Sequence, residues 1–312
     1  MLQQTQVATV IGYYERFLRR FPDVHTLARA PREDVMQAWA GLGYYARARQ
    51  AHACAQTIVS AHGGRFPGSA EELERLPGIG ASTAAAIAAF CFDERAAILD
   101  ANVRRVLVRR DAIDTDPRRA PAVQRLWERA RALLPGAGQM AAYTQAIMDL
   151  GATVCTRTNP HCAACPVTRG CLAHAQGRAG QLPLRTPRAA RPVRSAQVLV
   201  ALHRRAVLVE ERPAGGIWGG MLALPEFAQP AQMARAARAL SGPGSGPRPQ
   251  PLAERRHGFT HFTLVFTPHL LRLEQRPAAQ AAGQRWLALK HIDTAALPAP
   301  LLALLREVRE AA

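Results

Sequence analysis

SAEELERLPGIGASTAAAIAAFCF, residues 69–92, decides the reading of the fold. Residues 69–76 and 81–92 follow helical patterns, and Pro77, Gly78, Ile79 and Gly80 fit a tight turn anchored by Leu76. The result is a helix, a hairpin and a helix. Two glycines two residues apart permit a sharp bend with outward-pointing amides, and the following helix adds its positive N-terminal end, a geometry suited to a DNA phosphate. Taken alone, the pattern fits an unliganded Pro-Gly helix turn better than a DNA contact. Its meaning depends on the rest of the chain.

Upstream, MLQQTQVATVIGYYERFLRRFP (residues 1–22) places Val7, Val10, Ile11, Tyr14, Phe17, Leu18 and Phe21 at helical spacing with no capping residue ahead of them. The next segments predict two short helices broken at Pro31 and Gly41, and one helix ending at Gly63 and Gly64. Downstream, APAVQRLWERARALLP and AAYTQAIMDLGATVC predict two more. Residues 178–195, rich in Pro, Gly and Arg, read as a linker between a helical domain at 1–177 and a second domain at 196–312. In that second domain, AQVLVAL and RAVLVEERP predict a β-hairpin and FTLVFTPHLLRL a further strand. PAQMARAARAL and the C-terminal APLLALLREVREA predict helices, so the domain is α+β. SGPGSGPRPQP, residues 241–251, reads as a flexible surface insertion.

At 312 residues, 48% hydrophobic and 20% charged, the chain is globular rather than disordered. Forty basic residues against 23 acidic ones give a formal charge of +17, which favours an acidic polymer as partner. Lys290 is the only lysine, so an Arg-rich coding bias is an alternative source of that charge. The N-terminus carries no signal peptide, and no apolar run reaches the roughly 18 residues of a membrane helix. A cytoplasmic location and no membrane partner are expected.

Cys155, Cys162, Cys165 and Cys171 follow the spacing C-x6-C-x2-C-x5-C. Four soft ligands in one loop suggest a thiolate metal centre, and the single C-x2-C pair favours an iron–sulfur cluster over structural zinc. Unliganded thiols are the alternative. Cys54 and Cys91 read as small core residues. Asp100, in AAILDANVRRVLVRR, precedes a helix bearing Val103, Val106 and Leu107. It fits an N-cap and equally a carboxylate that stabilises a developing cation, and the two roles are compatible.

LQQTQVATVI, GLGYYARAR, LPGIGAST, ILDANVRRV, MDLGA and the four-Cys loop together resemble the MutY-type adenine DNA glycosylases of the endonuclease III superfamily. GGIWGGMLALPEF and HGFTHFTL resemble that family's C-terminal Nudix-like domain, without an acidic Nudix hydrolase box. The resemblance implies a mainly α fold: a helix-hairpin-helix glycosylase domain with an iron–sulfur cluster loop, followed by a smaller α+β Nudix-like domain that reads a lesion.

It also implies base excision repair of double-stranded DNA, releasing adenine opposite 8-oxoguanine or guanine. Asp100 would stabilise the oxocarbenium-like sugar, with Asn102 supporting the site. Gln3, Gln4, Leu42 and Tyr44 would line or wedge into the opened duplex, and Gly78, Gly80 and Ser82 would hold the hairpin on DNA. Phe259, Thr260 and His261 would read 8-oxoguanine. Cys155, Cys162, Cys165 and Cys171 would ligate one 4Fe-4S cluster. A monomer suffices for all of this.

Bifunctional relatives carry a Schiff-base lysine where this chain has Ser82, so hydrolysis by water is expected rather than strand cleavage. The family's general acid is a Glu immediately before its Met-Leu-Gln-Gln stretch, and this sequence starts at that Met. The chain as given is therefore expected to bind mismatched DNA and excise little or nothing. Two rival readings remain: a non-enzymatic DNA-binding protein on the same scaffold, and an endonuclease III-like lyase, against which Ser82 counts.

Overall fold

In the computed structural model, which describes residues 1–3, 5–184, 190–213, 215–242, 247–277 and 283–311, the chain forms two compact units. They cut the chain differently from the sequential division expected around 178–195. Residues 1–56 join residues 189–312 in one unit, and residues 57–188 form the other.

The elements of the chain's first half are α1 (Val7–Arg20), α2 (Val24–Arg29), α3 (Arg32–Trp39), α4 (Ala46–His62), α5 (Ala70–Glu74), α6 (Ala81–Phe92), α7 (Ala101–Arg110), α8 (Ala120–Ala132), α9 (Met140–Asp149) and α10 (Leu172–Ala175). Local chemistry sets many of their ends. Asp23 accepts the Thr26 N–H at 2.7 Å and Ser69 the Glu72 N–H at 3.3 Å, capping α2 and α5. Gln6 precedes α1 without a side-chain cap, as the sequence suggests. Only part of the expected apolar face of α1 is buried: Val10, Phe17 and Phe21 enter the core, whereas Val7, Ile11, Tyr14 and Leu18 stay exposed. The stripe on this helix is wider than the surface its neighbours cover.

The second half contributes β1 (Val193–His203), β2 (Ala206–Glu211), β3 (Leu222–Ala223), β4 (Glu226–Phe227), α11 (Pro230–Ser241), β5 (Gln250–Pro251), β6 (Arg255–Gly258), β7 (Thr263–Leu273), β8 (Gln284–Ala288) and α12 (Ala299–Glu310). The expected hairpin is present as β1 and β2, with Leu202 opposite Val207. β1 also runs parallel to β7, in register from Val193–Thr263 to His203–Leu273. Alternation along β1 splits its side chains between two cores. Val198, Val200 and Leu202 face α12 and the helices α1 and α3, while Leu199 and Ala201 face Met233 and Ala237 of α11. The N-terminal helices thus share a core with the C-terminal sheet. Part of the expected insertion at 241–251, residues 243–246, lies outside the described residues.

The unit of residues 57–188 has its own core of Leu99, Val103, Leu107, Val108, Leu126 and Leu182. Ala84, Ala85, Ala88 and Ala89 are buried along α6, where small side chains suit close helix packing. Cys91 on the same helix is exposed, contrary to its reading as a core residue. The fold class needs a larger correction. Among the described residues, no group of three or more His, Cys, Asp or Glu side chains is arranged to hold a metal ion, so the helical fold stands without the expected iron–sulfur cluster loop.

Candidate functional site

The first site is a cleft of about 570 Å³ in the unit that joins both ends of the chain. One wall comes from the segment entering α4, with Gly43, Tyr44, Tyr45, Arg47 and Arg49; Gln3 borders it too. Trp39 donates its indole N–H to the Gly43 carbonyl at 3.2 Å, and the Tyr45 hydroxyl accepts the Gly41 N–H at 3.3 Å. Gly41 has φ +99°, so the turn needs glycine there, and a Cβ would also push aside the tip of the Tyr13 side chain. Leu42 is buried in the core, whereas Tyr44 is 52% exposed at φ 49°. Gln4 lies outside the described residues.

Arg47 ties this wall together. Its guanidinium donates to the carbonyls of Met1 (2.7 Å), Gln3 and Gly43 (3.4 Å) and to the Thr5 hydroxyl (3.0 Å). It also lies over the Trp39 and Tyr44 rings at 5.5 and 5.4 Å. Arg49 reaches the facing wall, donating to the Gly219 carbonyl at 2.6 Å. Burial pulls both guanidinium pKa values below their ordinary range.

That facing wall is aromatic. Trp218, His257 and Phe259 form a ring cluster with centroid separations of 6.0, 5.5 and 4.7 Å, and Phe259 stacks on buried Phe262 at 4.6 Å. Phe262 and Leu264 root the turn between β6 and β7 in the core, leaving Thr260 and His261 exposed at the cleft. Gln3 and Tyr44 therefore share one cleft with Phe259, Thr260 and His261. Aromatic faces beside two arginines can stack bases and attract a polyanion.

The other unit carries Asp100. The sequence places it immediately before α7, and its Oδ1 accepts the Val103 N–H at 2.7 Å as an N-cap. Among the described residues no hydrogen-bond donor reaches Oδ2. Asn102 accepts from Arg105 at 2.8 Å, and Arg105 also donates to the carbonyls of Cys155 (2.7 Å) and Gly151 (2.5 Å). Gly151, in the π-helical turn after α9, packs so closely that a Cβ would lie 2.7 Å from that of Asn102. Ser82 Oγ accepts the Leu99 N–H at 3.0 Å and so braces the approach to Asp100. At the hairpin, Gly78 takes φ 76° and Gly80 precedes α6, both exposed over buried Leu73 and Leu76.

The four-cysteine loop is organised by a cation. Arg109, 1% exposed, donates to Leu182 O (2.9 Å), Thr156 O (2.7 Å), Arg157 O (3.2 Å) and Cys155 Sγ (3.2 Å). The cavity that Arg109 and the four cysteines border measures about 30 Å³, room for roughly two waters. A 4Fe-4S group does not fit this arrangement, and the four thiols are not a metal-holding group. Burial and the neighbouring thiols push the Cys162 thiol above its ordinary pKa. Hydrogen bonds from Arg109 close the loop instead.

Sequence reading missed Arg47, Trp218, His257 and Arg109. The first three lie inside or beside the motifs GLGYYARAR, GGIWGG and HGFTHFTL, so the motifs marked the place but not the contacts.

Known proteins resemble the chain over most of its length. A family model described as HhH-GPD superfamily base excision DNA repair protein matches residues 1–132, and a NUDIX domain model matches residues 197–307. An adenine DNA glycosylase of Mus musculus is 36% identical over 349 residues, covering 95% of this chain and 68% of that protein. One of Buchnera aphidicola subsp. Baizongia pistaciae is 30% identical over 312 residues, covering 99% and 88%. Among solved structures, a thermostable thymine-DNA glycosylase is similar at 26% identity and TM-score 0.51, covering 56% of this chain and 80% of that one.

Proposed function

Because the chain belongs to the adenine DNA glycosylases, hydrolases of base excision repair, we propose that its aromatic cleft reads the base opposite the target adenine, preferring 8-oxoguanine to guanine. The observation that carries this reading is the meeting of Tyr44 and Gln3 with Phe259, Thr260 and His261 around one cavity. Tyr44 is the wedge: exposed and held from beneath by Arg47, it takes the stacking place of a displaced base. Phe259 offers a second face, and the Thr260 hydroxyl can donate to or accept from the purine edge.

In the helical unit, Asp100 stabilises the sugar cation. As the C1′–N9 bond breaks, its electron pair leaves with adenine, which takes up a proton, and positive charge develops on the deoxyribose ring, within reach of a fixed carboxylate. Water then adds at C1′, and the proton it releases balances the one adenine gained, leaving free adenine and a C1′ hydroxyl. Ser82 has no amine to form an imine, and its hydroxyl is already engaged by Leu99, which favours hydrolysis over lyase chemistry. The exposed hairpin at Gly78 and Gly80 takes a phosphate at the start of α6.

The test is equilibrium binding to duplexes with adenine opposite 8-oxoguanine, adenine opposite guanine, and cytosine opposite guanine. The adenine carries a 2′-fluoro sugar, which blocks release. The expected order of affinity follows that sequence, and F259A and Y44A each flatten it. Equal affinity for all three duplexes refutes the reading.

A further inference from the structure

His257 lines the cleft but has no part in the reading above. Its ring packs edge-on to Phe259 at 4.7 Å and lies tilted to Trp218 at 6.0 Å. Among the described residues neither of its ring nitrogens has a hydrogen-bond partner. A half-buried imidazole packed against two aromatic rings at an open cleft, with neither nitrogen engaged by a described residue, is free to receive a polar ligand edge. The cleft residues around it bring two cations and one further imidazole: Arg47 and Arg49 from α4, and His261 from its own turn.

Guanine and 8-oxoguanine differ where such a ligand would meet it. Guanine presents N7 as an acceptor, whereas 8-oxoguanine carries a hydrogen on N7 and an oxygen on C8. A neutral imidazole has one acceptor nitrogen and one donor N–H; an imidazolium has only donors. Resting on the proposed reading of the cleft, we infer that His257 is a specificity-determining residue whose acceptor nitrogen takes the N7–H of 8-oxoguanine.

Desolvation pushes the His257 imidazole below its ordinary value, which keeps it neutral at physiological pH. Protonation at acidic pH removes the acceptor. The preference for 8-oxoguanine is therefore present above the depressed His257 pKa and lost as the pH falls through it.

The experiment measures the ratio of affinities for the adenine:8-oxoguanine and adenine:guanine duplexes, both with 2′-fluoro adenosine, from pH 5 to 8. The unsubstituted chain should lose about tenfold in this ratio across the range, the worth of one hydrogen bond. H257F keeps a ring in the cluster but no nitrogen; it should show the lowered ratio at every pH. H257Q supplies a non-titrating acceptor and should flatten the pH profile at an intermediate or higher ratio. Affinity for an undamaged duplex checks that each variant is folded.

An H257F chain with the original ratio and pH profile overturns the inference, as does a profile that disappears in H261Q and persists in H257F. F259A separates the two levels. If F259A abolishes the preference while H257F does not, the cleft reads the base without His257. If neither changes it, the cleft reading itself has failed.

Discussion

Asp100 lets capping and catalytic electrostatics be separated by one substitution. Its Oδ1 accepts the Val103 N–H at 2.7 Å, and asparagine, an equally good N-cap, retains an oxygen for that bond. D100N should therefore leave the unfolding free energy within about 0.5 kcal/mol of the original, whereas D100A should cost roughly 1 kcal/mol. The charge is a different matter. For a half-buried carboxylate about 4 Å from a cationic sugar, an effective dielectric near 20 gives about 4 kcal/mol, or roughly a thousandfold. The assay compares duplexes containing a cationic pyrrolidine or a neutral tetrahydrofuran at the target sugar, so it needs no turnover. The original chain should prefer the cation, and D100N should lose most of that preference while melting normally. If D100N retains the preference within threefold, Asp100 is a cap alone and the mechanism is wrong.

Three further substitutions test the supports of these sites. G41A forces an alanine to φ +99° and displaces the tip of the Tyr13 side chain; it should lower stability by about 1–2 kcal/mol and weaken binding to adenine:8-oxoguanine duplexes. R47K keeps the charge but loses the planar fork that reaches Met1, Gln3, Thr5 and Gly43, so duplex affinity should fall about tenfold, read by fluorescence anisotropy. G151A puts a Cβ 2.7 Å from that of Asn102 and 3.1 Å from its backbone; the discrimination for the cationic sugar should drop together with roughly 1–3 kcal/mol of stability.

Features set by neighbours in sequence were legible before the structure. The Asp100 cap, the long helix ending before Gly63 and the β1–β2 hairpin each depend on a few consecutive residues. The parallel pairing of β1 with β7 was not legible, because it joins residues 70 apart and leaves no local periodic mark. The same holds for the union of α1 and α3 with the C-terminal sheet: Phe17 and Trp39 need any apolar partner, and their pattern does not name Phe262 or Leu305. The cysteine spacing suggested ligands because it records proximity in sequence. It could not record that Arg109 engages Cys155 Sγ and three carbonyls around the loop.

Backbone strain at the cleft argues for a surface organised before DNA arrives. Tyr44 and Trp218, two of the cleft's aromatic residues, have φ values of 49° and 55°, a region that costs an L-residue roughly 1–2 kcal/mol. Nearby contacts hold them there: Arg47 donates to Gly43 O, and Arg49 to Gly219 O, each carbonyl one residue from a strained ring. Ordering already present in the free protein need not be supplied on binding. Y44N exposes the trade. Asparagine tolerates the left-handed region, and Tyr44 is 52% exposed, so little burial is lost. The unfolding midpoint should stay level or rise, while affinity for the mismatched duplex falls tenfold or more through the lost stack. If Y44N destabilises the fold as much as it weakens binding, the ring is structural, and strain at this position serves packing rather than recognition.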